Sequence, residues 1–82
     1  MNTQTVSNQN RVAKAKKRAW QDTLAALEKR DLLGIGWSLA LASVAERECN
    51  LVAQMIMAHV HLGVWDQAIE LCKKQLNKYK EV

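Results

Sequence analysis

The chain has 82 residues, a formal net charge of +4, 49% apolar side chains, no proline and two cysteines. A chain this short removes only ~60–65% of its unfolded surface on folding, so one thinly stabilised domain is expected, with self-association or a partner as a source of further burial. Cys49 and Cys72 lack short metal-ligand spacing, residues 1–10 lack the apolar core of a signal peptide, and the uncharged run 32–45 falls short of the ~20 residues that cross a bilayer. These features point to a reducing, cytoplasmic setting and away from a disulfide scaffold or a membrane span.

Residues 1–10 read as a flexible polar tail ahead of a single α-helical domain over 11–82. Asn8 or Asn10 can cap a first helix, after which Val12, Ala15, Ala19, Thr23 and Leu27 recur at spacings of three and four. Trp20 and Leu24 widen this stripe, and Arg11, Lys14, Lys17, Arg18, Gln21 and Glu28 mark the opposite, solvated side. Lys29 and Arg30 suit the carboxyl end of a helix dipole, and Gly34 and Gly36 then read as a tight reversal inside a short apolar loop.

A second helix of about 25 residues is expected from Trp37 or Ser38 to Leu62. Trp37, Leu41, Val44, Glu48, Leu51, Met55, Ala58 and Leu62 step down one face, and Val52, Ile56 and Val60 form a further apolar row. Apolar material on more than half the circumference requires more than one covering neighbour. Gly63 reads as a left-handed cap, Asp66 suits the first turn of the next helix, and Trp65, Ala68, Ile69, Cys72, Leu76 and Tyr79 give that helix a clean stripe. Alternating strand patterns and hairpin turn pairs are absent. The expected fold is therefore all-α: a three-helix bundle, or a helical hairpin plus an amino-terminal helix, oligomeric or completed by a partner.

Individual polar residues offer little chemistry. His59 and His61 are two apart and point to different sides of a helix, whereas a zinc pair would be three or four apart. Cys49 and Cys72 lie 14 and 9 residues from Gly63, which places them in different layers and favours two buried thiols acting as small hydrophobes. Glu48 falls on the apolar stripe, where a carboxylate would seek a base on another helix, although Glu46, Arg47 and Glu48 also read as a solvated belt. No nucleophile–base pair, phosphate loop or convergent acids are present, so neither an enzyme nor a cofactor or small-molecule substrate is expected.

Two surfaces remain. The near-continuous apolar stretch from Met55 to Trp65 reads as core plus interface, and Trp37, Leu41, Met55, Met57, Trp65 and Ile69 are the candidate protein-contact residues; Trp37, Leu41, Met55, Trp65 and Ile69 are also the residues expected to be buried. Five cations between positions 11 and 18, joined by lysines near the other end, make Arg11, Lys14, Lys17, Arg18, Lys73 and Lys74 candidate phosphate contacts. If the two ends meet in space they form one positive face.

Along His61-Leu62-Gly63-Val64-Trp65-Asp66-Gln67-Ala68-Ile69-Glu70-Leu71-Cys72-Lys73-Lys74-Gln75-Leu76 the chain resembles the turn and second helix of a tetratricopeptide repeat. Gly63 looks like the turn glycine, Trp65 replaces the usual tyrosine, and Ala68 looks like the small residue at the helix crossing. The likeness covers at most residues 49–76. Cys72 stands where an aromatic is usual, Gln75 replaces a usual alanine, and Ile56 stands where the first helix carries a small residue. The resemblance implies a protein-binding helical hairpin, such as a chaperone-like or adaptor subunit that gains stability by pairing, and it supplies no catalytic residue. The function expected from the sequence is a regulatory or adaptor protein acting through protein contact, with a nucleic-acid-binding role for the basic first helix as the alternative.

Overall fold

The computed structural model describes residues 3–46 and 50–82, with side chains from residue 10 onward. The described residues form four helices, α1 (Thr3–Lys29), α2 (Leu32–Glu46), α3 (Leu51–His61) and α4 (Trp65–Asn77). The all-α class is as expected, and the three-helix arrangement is corrected to four. Asn8 and Asn10 lie inside α1 and do not cap it. None of the helices is long and apolar enough to cross a membrane among the described residues.

Two expectations fail for local reasons. The reversal after α1 is made by Arg30, whose φ of 54° ends the helix in the left-handed region. The Arg30 and Asp31 amides donate to the Leu27 and Ala26 carbonyls at 3.1 and 2.9 Å, closing the last turn. Asp31 then caps α2, its Oδ1 accepting from the Gly34 amide at 3.2 Å, so Gly34 and Gly36 are helical. A Cβ at Gly34 would stand 2.5 Å from Oδ2 of the capping Asp31 side chain and, more mildly, 3.3 Å from the Ala26 Cβ of α1, so a side chain here would displace the cap and crowd α1.

The long second helix is replaced by α2 and α3. Asn50 begins α3, its side chain accepting from the Ala53 amide at 3.1 Å. Gly63 does adopt the expected left-handed conformation, with φ of 75°, and the Val64 amide reaches back to the His59 carbonyl at 3.0 Å. The turn delivers the chain into α4, with Asp66 in its first turn.

α1 packs along α2 and α4, and α3 packs along α4, while α2 and α3 barely meet. α1 and α4 run antiparallel: Arg30 stacks over the Trp65 ring at 5.3 Å, the Cys72 thiol donates to the Trp20 carbonyl at 3.4 Å, and Lys17 Nζ donates to the Val82 backbone oxygen at 2.7 Å. The core is built from Trp20, Leu27, Ile35, Leu39, Ile56 and Cys72 together with small residues such as Ala42, Ala53 and Ala68. On α1 the expected stripe is buried from Ala19 onward, whereas Val12 and Ala15 are exposed.

Candidate protein-contact face

The helices rich in apolar residues all round are where the buried face differs from expectation. α2 buries Ile35, Ser38, Leu39 and Ala42, with the Ser38 hydroxyl donating to the Gly34 carbonyl. α3 buries Ala53, Ile56 and Val60. The row expected to be the main core stripe is instead turned outward. Trp37 is 70% exposed and Val44 74%, and Leu41, Leu51, Met55 and Leu62 are exposed too. Trp37, Leu41 and Met55 are therefore not buried in this chain, a correction whose cause is that apolar residues on every side leave periodicity unable to choose the inward one. Trp65 and Ile69, expected to be buried, are half-buried and pack against the core.

Both ends of α2 are fixed. The Asp31 side chain caps its first turn while the Asp31 amide is bonded to the Ala26 carbonyl of α1. At its last residue, Glu46 Oε1 accepts from Trp20 Nε1 at 3.2 Å and from the Tyr79 hydroxyl, and Lys16 lies 3.5 Å from the other carboxylate oxygen. Burial pushes the Glu46 pKa up, but the hydrogen bonds from Tyr79 and Trp20 and the charge of Lys16 outweigh it and hold the carboxyl below its usual range. Burial, the hydrogen bond to Glu46 and its charge raise the Tyr79 phenol well above its ordinary value. This carboxylate ties α1, α2 and the turn after α4 together. The sequence reading singled out Glu48, which lies outside the described residues, as do Arg47 and Cys49. The signal for Glu46 was its place four residues beyond Ala42, on the row that proves to be buried.

Between α2 and α3 the open seam forms a groove of about 550 Å³, with Gly36, Leu39 and Ala40 on one wall and Ala53, Met57 and Ala58 on the other. A second groove of about 560 Å³ adjoins it, sharing Met57 and His61 and reaching Leu32, Val60, Leu62 and Trp65. Of the candidate contact residues, Met57 and Trp65 thus line the seam, and Trp37, which follows Gly36 in α2, is exposed outside its lining. α2 carries no ionisable side chain between Asp31 and Glu46, so the α2 wall of this face is uncharged, while His61 stands on the α3 wall.

The opposite seam, between α1 and α4, has another character. Lys17, Lys73 and Lys80 line one groove of about 460 Å³ with Gln21, Leu24, Leu76 and Asn77. Two of the six candidate phosphate contacts therefore come together and Lys80 joins them, while Arg11, Lys14, Arg18 and Lys74 are exposed outside this groove.

Other titratable groups are dispersed. Burial, with the nearby Glu28 charge, pushes the Cys72 thiol up to about 12, which keeps it protonated and unreactive at neutral pH. His59 is half-buried with Nδ1 lacking a hydrogen-bond partner, and His61 is exposed. Among the described residues no group of three or more His, Cys, Asp or Glu side chains is arranged to hold a metal ion. Comparison with protein-family models, with curated proteins and with solved structures finds no match to this chain.

Proposed function

We propose that this chain is a non-enzymatic protein-contact module, regulatory or adaptor in role, that works through the apolar face formed by α2 and α3. The observation carrying the reading is the exposure of Trp37, Leu41 and Val44 on α2 and of Leu51 and Met55 on α3, two helices with an apolar groove between them. A monomer seldom exposes a contiguous apolar patch beyond a few hundred Å², and a larger one marks an interaction surface. The rigid attachment of α2 at both ends lets it present these side chains without an ordering cost on binding. The tetratricopeptide-like resemblance noted along residues 49–76 implies the same protein-binding role.

The test is site-specific photo-crosslinking in cells. A photoreactive phenylalanine analogue at Leu33 or Leu41 is expected to yield protein adducts, and the same group at Asp22 or Glu70 is not. Equal yields at all four positions, or none at the α2 positions, would overturn the reading.

A second reading rests on the convergence of Lys17, Lys73 and Lys80. Lys17 already donates to the Val82 backbone oxygen, but like charges held along one groove still favour an anionic ligand, and phosphates spaced along a nucleic-acid backbone suit a linear groove. Here the replacement of all three lysines by glutamine should abolish salt-sensitive binding of a labelled single-stranded RNA, read by fluorescence anisotropy. Retained affinity would remove the assignment.

A further inference from the structure

The α2–α3 face holds both a projecting side chain and a cavity. Trp37 stands exposed on α2, following Gly36 and three residues before Ala40, and these two wall the α2–α3 groove together with Ala58. A surface that carries a knob and its own hole is self-complementary under a two-fold axis, the symmetry of most small homo-oligomers. We propose that the occupant of this face is a second copy of the chain, the two protomers related by a two-fold axis that places Trp37 of each in the α2–α3 groove of the other. The proposal rests on the protein-contact reading above and names its partner.

Three further observations favour a second copy. The first is area: Leu33, Trp37, Leu41, Val44, Leu51, Met55 and Leu62 together expose on the order of 500 Å² of apolar side chain, taking ~200 Å² for a tryptophan and ~100 Å² for an aliphatic residue. Two such faces reach ~1,000 Å², the threshold for a specific interface, before the groove walls are counted. The second is charge. Two copies of a chain with net charge +4 repel through most of their surface, but the stretch between Asp31 and Glu46 carries no ionisable group, so this is the face through which they can approach. Third, the volume of the groove lies in the roughly 300–1,000 Å³ range of sites that enclose a drug-sized ligand, ample for an indole ring. Small residues at Gly36 and Ala40 also allow the partner backbone to come close.

Light scattering on size-exclusion chromatography and analytical ultracentrifugation of the full chain, up to about 100 micromolar, test the assignment. The expected result is a dimer whose dissociation constant rises at least ~30-fold in Trp37→Ala, the loss typical of a central aromatic anchor. Trp37 is mostly exposed in the single chain, so this variant keeps its fold, checked by far-ultraviolet circular dichroism. Ala58→Leu is the second variant. It adds apolar surface but fills the groove, and it is expected to weaken the dimer, whereas unspecific stickiness predicts that it strengthens association.

A wild-type chain that stays monomeric throughout overturns the second-copy assignment, as does a dimer indifferent to both substitutions. Crosslinked adducts from Leu41 at the mass of a different protein, with a monomeric chain, overturn this inference while supporting the broader contact reading; absence of adducts from α2 overturns both.

Discussion

Replacing Glu46 by alanine removes one acceptor from three partners at once, and the cost follows from how deeply each is placed. The Trp20 indole is fully buried, so its N–H has no water to turn to and leaving it unsatisfied costs about 1–3 kcal/mol. The Tyr79 hydroxyl is only half-buried and can recover much of its loss from solvent, leaving a net ~0.5–1.5 kcal/mol. Lys16 and Glu46 are 24% and 16% exposed in their side chains, and the pair contributes at most ~1 kcal/mol. Because the three share one carboxylate these terms are not strictly additive, and Glu46→Ala should lose about 2–4 kcal/mol in urea denaturation with an unchanged slope. Glu46→Gln keeps an acceptor and should lose ~1 kcal/mol.

The acid dependence separates charge from hydrogen bonding. Since the folded-state pKa lies below the ordinary glutamate value of 4.5, the carboxylate contributes stability above that value and loses it as pH falls through the lower folded-state pKa. The stability gap between wild type and Glu46→Gln should therefore be widest near neutrality and narrow progressively below pH 4.5. A loss under ~0.5 kcal/mol in Glu46→Ala, or a gap independent of pH, would refute the role given to this carboxylate.

Gly34→Ala and Gly36→Ala carry the same gain in helix propensity, up to ~1 kcal/mol, but only Gly34 faces a close approach; thermal melts should show Gly36→Ala stabilised and Gly34→Ala destabilised, the two differing by about 1–3 kcal/mol. Arg30→Ala should destabilise by ~1 kcal/mol through loss of the stack on Trp65, while Arg30→Gly relieves the left-handed strain and should be close to neutral; equal effects in chemical denaturation would contradict this balance. Alkylation of Cys72 at neutral pH, followed by peptide mass spectrometry, should be slow in the folded chain and rise in step with unfolding by urea. Rapid labelling without denaturant would contradict its burial and raised pKa.

How much was legible depended on how each helix distributes its apolar residues. α1 and α4 each have one stripe against a charged background, and the faces marked by Thr23, Leu27, Ala68 and Cys72 were read correctly because only one side could be buried. α2 and α3 are apolar on several sides, and the row through Trp37, Leu41 and Met55 was as periodic as the row that packs. What decided between them is tertiary: the Asp31 cap and Gly34 set the direction in which α2 leaves α1. The division into α2 and α3 was masked by the continuation of period across it, although Asn50, three residues before Ala53, was a cap signal. Gly34 and Gly36 were read as breakers because glycine is poor in helices; Gly34 instead answers a steric demand invisible in one dimension. The lysines at the two ends of the chain could be recognised individually, but their meeting depended on the antiparallel course of α1 and α4.

The placement of an apolar seam opposite a lysine-lined one makes dissolved salt a selector between them. Attraction at Lys17, Lys73 and Lys80 is screened within ~10 Å at 0.1 M ionic strength, whereas sulfate and similar ions strengthen apolar association. If both proposed contacts are made, sulfate and dilute buffer favour different sides of the same small molecule, and the side on which it is held changes without altering a residue.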